Sequence, residues 1–449
     1  MEIILKPTPD ICRVIGKNGK VPNDGVKLTL SQFCLVDKVK HGYLLYNTLY
    51  QSIVCLTEKE YKGINRYSAD NSYLYDYYFI VDEGSDVMSK ADMLQEYIIS
   101  NKPKSHFKTL STVTILPSTG CNAKCFYCFE KGAEKKHMTI ETAEKVVKYI
   151  KKHYNGKMMH IRWFGGEPLI NEKVITYICN RLKEENIEYG SKMTSNCFLI
   201  SEDKIDLYKN VWKLTNVSVT IDGTESMYNE IKQFSYSGSA YNKVISNVDT
   251  LINNGIRVSI RINLGYHNID DVEKLVNDLI GHYKGRKNIK IYLNRLYDNC
   301  GGAPDKNELK VVYDKILSLT NLLAKNGLGS GRMSIKSSLR ITQCMADSRH
   351  ATMILPDGKL GLCEHYMDEL HIGDIENDVT NYENVEKCCA QFEKDDLCKK
   401  CFLYPTCNKL NICSSAKCTE ESFVYKKYFT KVAMRGQYRK YLKEKGNLA

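Results

Sequence analysis

The stretch "STGCNAKCFYCFE", residues 118–130, places three cysteines within eight positions directly after an apolar run. We call this stretch the cysteine loop. Cys121, Cys125 and Cys128 are spaced C-x3-C-x2-C. A structural zinc ion normally takes four protein ligands, and the nearby fourth candidate is His137, which lies in a charged stretch. Three thiolates on one short loop suit instead a [4Fe–4S] cluster with one iron left open for a small ligand.

The composition limits what kind of protein carries this loop. Of the 449 residues 43% are hydrophobic and 26% are charged, as in an ordinary globular protein of two or three domains. The start, "MEIILKPTPDICRVIGKNGK", lacks a signal-peptide pattern, and no apolar stretch is long enough to cross a bilayer. We therefore expect a cytoplasmic location without membrane contact. Eighteen cysteines in that compartment favour metal binding over disulfides.

The basic charge gives weaker information about partners. The net charge of +11 is spread along the chain and does not form one tract. Attraction to an acidic peptide or to RNA is one interpretation of this excess. A solvated surface is the simpler one, because no patch combines basic and aromatic residues. We expect no nucleic-acid partner.

From residue 110 the sequence alternates between strand and helix patterns. Repeated βα units of this size predict a parallel sheet with outer helices, open or closed as a barrel. Functional residues then lie at the C-terminal ends of the strands, where the cysteine loop and "GGEP", residues 165–168, both fall. The predicted strands are "TVTILP", "HIRWF", "SKMTSN", "LTNVSVTID", "IRVSIRIN" and "IKIYLN".

The two ends of the chain depart from this pattern. In residues 1–105, "FCLVDKV" and "YLLYNTL" predict a hairpin, and Thr57 and Glu60 are spaced as a capping box. The segment "SKADMLQEYIIS" predicts a helix there. Past residue 340 lie nine of the eighteen cysteines among turn-rich connections, which indicates a metal-organised module. The stretch "ESFVYKKYFTKVAMRGQYRKYLKEKG" predicts a closing helix.

The cysteine loop and "WFGGEPL", residues 163–169, together resemble the radical S-adenosylmethionine (radical SAM) superfamily over about residues 110–300. The resemblance implies that Cys121, Cys125 and Cys128 hold a [4Fe–4S] cluster whose open iron is chelated by the methionine part of the cofactor. Electron transfer from this cluster would cleave the sulfonium and give a 5′-deoxyadenosyl radical, which abstracts a hydrogen atom from the substrate.

The same resemblance assigns further residues to the cofactor. Tyr127 would pack near the adenine. The glycines of the Gly-Gly-Glu element let the backbone approach a ligand closely, and its carboxylate can accept bonds from an ammonium group. Cys197 stands where relatives often carry the glycine of Thr-Asn-Gly. For the residues on the later strands, Ser195 to Arg261, a purely structural role at the strand end is the alternative. The implied cofactor-binding residues are Tyr127, Gly165, Gly166, Glu167, Ser195, Asn196, Ser218, Asp222 and Arg261.

The segment "CKKCFLYPTCNKLNICSSAKC", residues 398–418, resembles the SPASM extension of peptide-modifying radical SAM enzymes. The spacing between Cys407 and Cys413 is x5, where the family usually has x3. The resemblance implies one auxiliary [4Fe–4S] cluster held by Cys398, Cys401, Cys407 and Cys418. A second would use Cys344, Cys363 and Cys413. Its remaining iron would be open to a substrate thiolate, with Cys388–Cys389 as the rival source of a ligand. Zinc ribbons are the alternative for these cysteines.

As a whole the resemblance predicts a radical SAM/SPASM peptide maturase of the thioether-forming sactipeptide or ranthipeptide type, or a close relative. The expected α/β fold has three parts. They are a small N-terminal α+β domain for peptide recognition (1–105), a partial (β/α)6 TIM-like radical SAM barrel (106–335) and a cysteine-rich SPASM iron–sulfur module with a terminal helix (336–449). The implied cofactors are S-adenosylmethionine and three [4Fe–4S] clusters, with a precursor peptide as substrate and flavodoxin or ferredoxin as electron donor.

Other functions stay open at this point. A formylglycine-generating sulfatase maturase would use Glu364, beside Cys363, to accept a proton or route an electron, although an exposed turn carboxylate is the simpler interpretation. A carbon–carbon crosslinking maturase is a further enzyme alternative. An iron–sulfur or zinc scaffold that binds RNA or protein without catalysis is the alternative of another class.

Overall fold

The computed structural model describes residues 1–104, 107–132, 134–296, 306–329, 335, 338–366, 369–413 and 418–446. The chain forms two compact units. We call Pro103–Ser330 with Cys344–Cys389 the sheet unit, and Met1–Lys102 with Gly331–Gln343 and Ala390–Ala449 the terminal unit. This packing groups the chain differently from the segments 1–105, 106–335 and 336–449, whose functional assignment stays a prediction. The boundary positions 105, 106 and 336 lie outside the described residues.

The strands are β1 (Glu2–Leu5), β2 (Leu28–Leu30), β3 (Cys34–Val39), β4 (Gly42–Asn47), β5 (Ser52–Leu56), β6 (Ile80–Asp82), β7 (Thr112–Ser118), β8 (Met159–Gly165), β9 (Tyr189–Thr194), β10 (Leu214–Thr220), β11 (Arg257–Leu264), β12 (Ile289–Arg295), β13 (Ala351–Ile354), β14 (Lys359–Gly361), β15 (Gly373–Asp374) and β16 (Asp378–Val379).

The α-helices are α1 (Pro9–Ile15), α2 (Glu58–Lys62), α3 (Ser72–Asp76), α4 (Met88–Ser100), α5 (Ile140–His153), α6 (Glu172–Glu184), α7 (Glu225–Lys232), α8 (Ala240–Asn253), α9 (Ile269–Tyr283), α10 (Lys306–Lys325), α11 (Tyr382–Cys389), α12 (Asp396–Lys399) and α13 (Glu420–Glu444). None of these described helices is long and apolar enough to span a bilayer.

A ten-stranded sheet dominates the sheet unit, in the order β12-β11-β10-β9-β8-β7-β13-β14-β15-β16. The six predicted strands are present as β7 to β12, and each pairs in parallel with its neighbour, for example Thr114 opposite Arg162 and Ser218 opposite Ser259. Strand β13 adds in parallel to β7, and β14 to β16 continue as antiparallel strands. The large parallel sheet agrees with the predicted α/β fold and with a partial barrel.

Side-chain periodicity explains how helices cover this sheet. In β8, Met159, Ile161 and Trp163 are buried while the residues between them are exposed, so one face of the strand lies in the core. Helix α6 buries a single apolar stripe. Helices α5, α6, α8 and α9 follow the βα alternation, whereas short 3₁₀ and π-helical turns, Glu202–Lys204 and Leu207–Val211, connect β9 to β10.

The terminal unit contains an antiparallel sheet of order β1-β5-β4-β3 and the β2–β6 pair. The predicted hairpin is β3–β4, and the Thr57–Glu60 capping box starts α2. The C-terminal part shares this core: Phe402 and Met434 pack with Leu44. Arg435 donates to both carboxylate oxygens of Asp37 at 2.6 and 2.8 Å. The cysteine-rich end is therefore stabilised by packing against residues from the start of the chain.

Candidate functional site

The cysteine loop follows β7 and contacts the glycine turn that follows β8. Gly166 N donates to Ser118 O at 3.2 Å, and Glu167 N donates to Gly120 O at 3.0 Å. A Cβ atom on Gly166 would lie 2.6 Å from both Thr119 O and Gly120 O, and Gly165 has a φ of +115°. Only glycine fits this close approach of two backbones. The two motifs therefore form one structural element at the C-terminal edge of the sheet.

The three thiols of the loop are partly exposed and form no disulfide. Burial raises the pKa of Cys121 to about 11, and burial also raises the pKa of Cys128. At neutral pH the thiols of Cys121 and Cys128 are thus protonated unless a metal displaces the proton, as metal ligation does. The Cys121 sulfur accepts from Ala123 N at 3.4 Å, which orients it beside the backbone of the loop.

Among the described residues, no group of three or more His, Cys, Asp or Glu side chains is placed to hold a metal ion. A [4Fe–4S] cluster has a different requirement, because each thiolate binds a separate iron atom and the sulfurs surround the cluster. The three thiols lie on one partly exposed loop, and the neighbouring Gly165 and Gly166 carry no side chain. This arrangement fits a [4Fe–4S] cluster. Cys121, Cys125 and Cys128 would hold it.

Glu167 is fully buried behind the glycine turn. One carboxylate oxygen accepts from Leu169 N at 3.1 Å and from Ser195 Oγ at 2.9 Å, and the other accepts from Asn196 N at 2.8 Å. Burial raises its pKa to about 7, and the three donors oppose this rise. The carboxylate thus ties the turn to the end of β9. Its predicted contact with the cofactor ammonium stays a prediction, and in this structure its donors come from the protein.

The end of β9 also contacts the cysteine loop. Asn196 Nδ2 donates to Asn122 Oδ1 at 2.7 Å and lies 3.9 Å from the Cys121 sulfur. Cys197 has a φ of 61°, in the left-handed region that favours glycine. Its backbone N donates to Ser195 Oγ at 2.9 Å, which holds this turn. The sharp turn explains why a glycine would suit this position.

A buried polar network lies under the second half of the loop. The Tyr127 hydroxyl donates to Asp222 Oδ2 and accepts from Lys232 Nζ at 2.8 Å. Lys232 Nζ lies 3.3 Å from Asp222 Oδ2. Asp222 Oδ1 also accepts from Asn263 N at 2.7 Å. The structure thus joins Tyr127 and Asp222, which the sequence singled out, through Lys232, which it did not.

Two other predicted cofactor residues occupy neighbouring strands. Ser218 is half-buried in β10, and its carbonyl accepts from Ser195 N at 3.0 Å. Arg261 in β11 is half-buried, and its Nε donates to Asn263 Oδ1 at 2.7 Å. Both lie on strands that border the loop network, but their contact with a cofactor stays a prediction.

Glu364 lies in a 3₁₀ turn, Glu364–Tyr366, close to the cysteine loop. The ring of the adjacent His365 lies 4.7 Å from that of Phe129. One Glu364 carboxylate oxygen is buried without a hydrogen-bond partner, and Arg162 Nη2 lies 3.8 Å from it. A carboxylate oxygen with free acceptor capacity next to the loop could accept a proton from a bound substrate.

Four predicted cluster ligands lie together in the terminal unit. Cys398 and Cys401 border the apolar core that includes Tyr404. The pKa of Cys401 is raised mainly by burial, and the neighbouring Cys407 and Cys418 raise it further. Lys426 Nζ donates to the Cys418 sulfur at 2.8 Å and, although burial opposes it, holds the pKa of that thiol below its ordinary value. These contacts fit Cys398, Cys401, Cys407 and Cys418 as one ligand group.

The other predicted auxiliary ligands divide between the units. Cys344 and Cys363 belong to the sheet unit, and Cys413 belongs to the terminal unit. Burial raises the pKa of Cys388 to about 12, with further contributions from Cys389, Cys363 and Cys344. Cys389 Sγ donates to Ala346 O at 3.1 Å, which seats the end of α11 on the segment after Cys344. The structure thus places the Cys388–Cys389 pair near two predicted ligands.

These features define the class of protein. A parallel sheet covered by helices carries a three-cysteine loop and a glycine turn on the same C-terminal edge. Residues 115–279 match the family model of the Radical SAM superfamily. This part of the chain is therefore a radical SAM domain, and the protein is an S-adenosylmethionine-dependent enzyme. A radical SAM domain implies a [4Fe–4S] cluster, and its ligation by the cysteine loop stays a prediction.

Individual relatives are distant. The chain is 23% identical over 278 residues to GTP 3′,8-cyclase of Clostridium perfringens (strain SM101 / Type A), which covers 59% of this chain and 83% of the relative. The fold of the present chain is similar to that of anSMEcpe, an anaerobic sulfatase-maturating enzyme, solved with bound AdoMet (TM-score 0.59, 18% identity, covering 75% of this chain and 96% of that one). It is also similar to SuiB of Streptococcus suis (TM-score 0.51, 14% identity, 88% and 98%).

Proposed function

We propose that this enzyme modifies a ribosomally synthesised peptide by joining a cysteine sulfur to a carbon of another residue. The observation that carries the proposal is the presence of two cysteine groups outside the radical SAM domain. One comprises Cys398, Cys401, Cys407 and Cys418, and the other brings Cys388 near Cys344 and Cys363. Such groups suit auxiliary clusters, and an iron of one of them would bind the substrate thiolate.

The proposed reaction requires acceptors for a hydrogen atom, a proton and an electron. Forming a carbon–sulfur bond from a C–H and an S–H group removes one hydrogen atom, one proton and one electron. When bound, the loop cluster with S-adenosylmethionine supplies the radical that takes the hydrogen atom, and an auxiliary cluster takes the electron. The proton needs an acceptor within the protein. Glu364, with a buried oxygen that lacks a donor, is the proposed acceptor.

Several features support a peptide as substrate. The anSMEcpe enzyme, similar in fold, has also been solved with bound AdoMet and a Cp18Cys peptide (TM-score 0.57, 18% identity). In the terminal unit, α4 packs with the cysteine segment, since Gln95 Nε2 donates to Tyr404 O and Pro405 O, both at 2.8 Å, and Phe402 of this segment packs with Leu44 of the N-terminal sheet. We propose that this unit engages the precursor peptide and holds the auxiliary cluster in one body, and that flavodoxin or ferredoxin supplies electrons.

The test is anaerobic reaction of the reconstituted enzyme with a short cysteine-containing precursor peptide, such as one encoded beside this gene. We expect the product to lose two hydrogen atoms and the modified cysteine to resist alkylation. Glu364→Gln is expected to lower the product yield while S-adenosylmethionine is still cleaved. Arg181→Gln is the matched control in the same unit, because Arg181 pairs with the carboxylates of Glu144, Glu184 and Glu185.

Other products would replace the proposal. Conversion of a peptide cysteine or serine to an aldehyde would identify a formylglycine-generating enzyme, and a crosslink that leaves every thiol alkylatable would identify carbon–carbon chemistry. Turnover of GTP in a parallel reaction would point to the chemistry of the sequence relative. If no 5′-deoxyadenosine forms with dithionite and cofactor, the enzyme proposal is wrong, and the non-catalytic scaffold is the alternative.

A further inference from the structure

Lys232, which belongs to none of the sequence motifs, contacts the cysteine loop at two positions. Lys232 is the last residue of α7, and it is 3% exposed. Its carbonyl oxygen accepts from Lys124 N at 2.8 Å, and its Nζ donates to the Tyr127 hydroxyl at 2.8 Å. Lys124 and Tyr127 lie on either side of Cys125 in the sequence. One residue therefore contacts the loop both before and after its central cysteine.

The lysine is in turn fixed to the sheet. Its ammonium pairs with Asp222, whose side chain is 1% exposed and whose other oxygen accepts from Asn263 N at 2.7 Å. The carbonyl of Asp222 accepts from Asn268 Nδ2 at 2.9 Å. An ion pair this deeply buried is costly to break, because removing one partner leaves an uncompensated charge. A continuous set of contacts thus runs from β11 through Asp222 and Lys232 to the loop.

The position of the ammonium also has an electrostatic consequence. Lys232 Nζ donates to the hydroxyl of Tyr127 at 2.8 Å and lies 5.3 Å from the centre of that ring, and Tyr127 directly precedes Cys128. A fixed positive charge beside a cluster favours the state that carries the extra electron, because cluster potentials follow local charge and hydrogen bonding. A cluster on this loop is therefore easier to reduce with Lys232 than without it.

We propose that Lys232 is a positioning residue of the radical SAM site. It connects the cysteine loop, on both sides of Cys125, to Asp222, and it raises the reduction potential of the cluster that the loop holds. This assignment rests on the radical SAM domain and is independent of the peptide chemistry. Neither the Cys-x3-Cys-x2-Cys spacing nor the glycine turn predicts it.

The test compares Lys232→Met with Lys232→Arg, which keeps the charge, and with Lys204→Met as a control. Lys204 is also paired with a carboxylate, Glu172 at 2.6 Å, on the surface of the same unit. Three quantities are measured: amide hydrogen exchange of residues 121–129 in the cluster-free protein, the rate at which a chelator removes iron from the reconstituted protein, and the midpoint potential of the cluster by anaerobic EPR titration.

For Lys232→Met we expect about 10- to 100-fold faster exchange in the loop than in wild type, faster iron loss and a more negative potential. Lys232→Arg is expected to restore most of the potential, and Lys204→Met to behave as wild type. The double variant Asp222→Asn/Lys232→Met, which removes the unpaired carboxylate as well, is expected to regain stability and part of the potential lost in Lys232→Met. Wild-type exchange and potential in Lys232→Met would overturn the proposal, as would an equal effect of Lys204→Met.

Discussion

The cysteine loop of the sheet unit and the cysteine segment of the terminal unit, residues 398–418, differ in what holds them. The loop is fixed by backbone contacts at the edge of a parallel sheet, where Gly166 lets the turn after β8 approach Gly120. The segment is fixed by side-chain packing against residues far away in the sequence, such as Gln95 with the carbonyls of Tyr404 and Pro405. The loop is held by residues of the sheet unit alone, whereas the segment depends on the fold of the chain start.

This difference predicts separate consequences for the two regions. Damage to the loop is expected to abolish all chemistry, since we predict that the cofactor is cleaved there. Damage to the segment is expected to spare cofactor cleavage and to remove the peptide product. The following changes test the comparison in order of decreasing effect on product formation, and the last is measured as stability alone.

The largest effect is expected from replacing all three loop cysteines by alanine. Without thiolates the loop cannot hold a cluster, so the rate of 5′-deoxyadenosine formation falls by more than about 1000-fold. The measurement is product formation with dithionite after anaerobic reconstitution. Cys179→Ala, a buried cysteine in α6 of the same unit, is the control and is expected to keep the activity. Activity in the triple variant would show that the loop is not the cluster site.

The second effect concerns Cys398→Ala with Cys401→Ala. We expect 5′-deoxyadenosine formation to stay within about threefold of wild type, while the modified peptide falls at least about 10-fold because the auxiliary cluster is lost. Mass spectrometry of the peptide and chromatography of the nucleoside measure the two outcomes. Cys12→Ala, a partly exposed cysteine of the terminal unit, is the control. Equal loss of both products would mean that the two regions do not work separately.

Gly166→Ala tests the close approach between the loop and the glycine turn. Its new Cβ would lie 2.6 Å from two backbone oxygens, which cannot move like a flexible side chain. We expect a loss of about 1–3 kcal/mol in the free energy of unfolding and at least about 10-fold slower cofactor cleavage. Gly281→Ala in α9 is the matched control, because no atom lies within 4 Å of its Cβ position. That helix substitution is expected to be neutral or to stabilise by up to about 1 kcal/mol. Similar losses in both variants would contradict the packing argument.

The last prediction concerns stability alone and is a pH dependence from Glu167. Burial raises its pKa to about 7 from an ordinary value of 4.5. The folded protein therefore binds a proton more tightly than the unfolded chain within this window, so the free energy of unfolding falls as the pH rises through it. The total fall is on the order of 3 kcal/mol. Denaturant unfolding of the cluster-free protein is expected to show a flatter slope for Glu167→Gln. An unchanged slope in that variant would show that another group titrates.

Much of the fold follows from the sequence because its signals are local. The six strands alternate with helices at the spacing of βα units, and β7 to β12 lie within a few residues of the predicted segments. Thr57 and Glu60 form the capping box that their spacing indicates. The cysteine loop and the glycine turn were found for the same reason, since each is a short motif at a strand end.

The parts that escaped prediction depend on contacts distant in the sequence. Lys232 lies about 100 residues beyond the loop, among 64 lysines and arginines, and nothing in its neighbours distinguishes it. The pairing of β13 with β7 places residues 351–354 in the large sheet, although their own pattern indicates only a short apolar run. The proximity of Cys388 to Cys344 and Cys363 likewise depends on how α11 packs.

The measurement that tests the central claim most directly is the metal content of the anaerobically reconstituted protein, with and without the loop cysteines. With one cluster on the loop and two elsewhere, wild type is expected to bind about 12 iron atoms per chain, and the triple variant Cys121→Ala/Cys125→Ala/Cys128→Ala about 8. About 4 in wild type and none in the triple variant would show that the other cysteine groups hold no clusters. Zinc in place of iron in those groups would contradict the account equally.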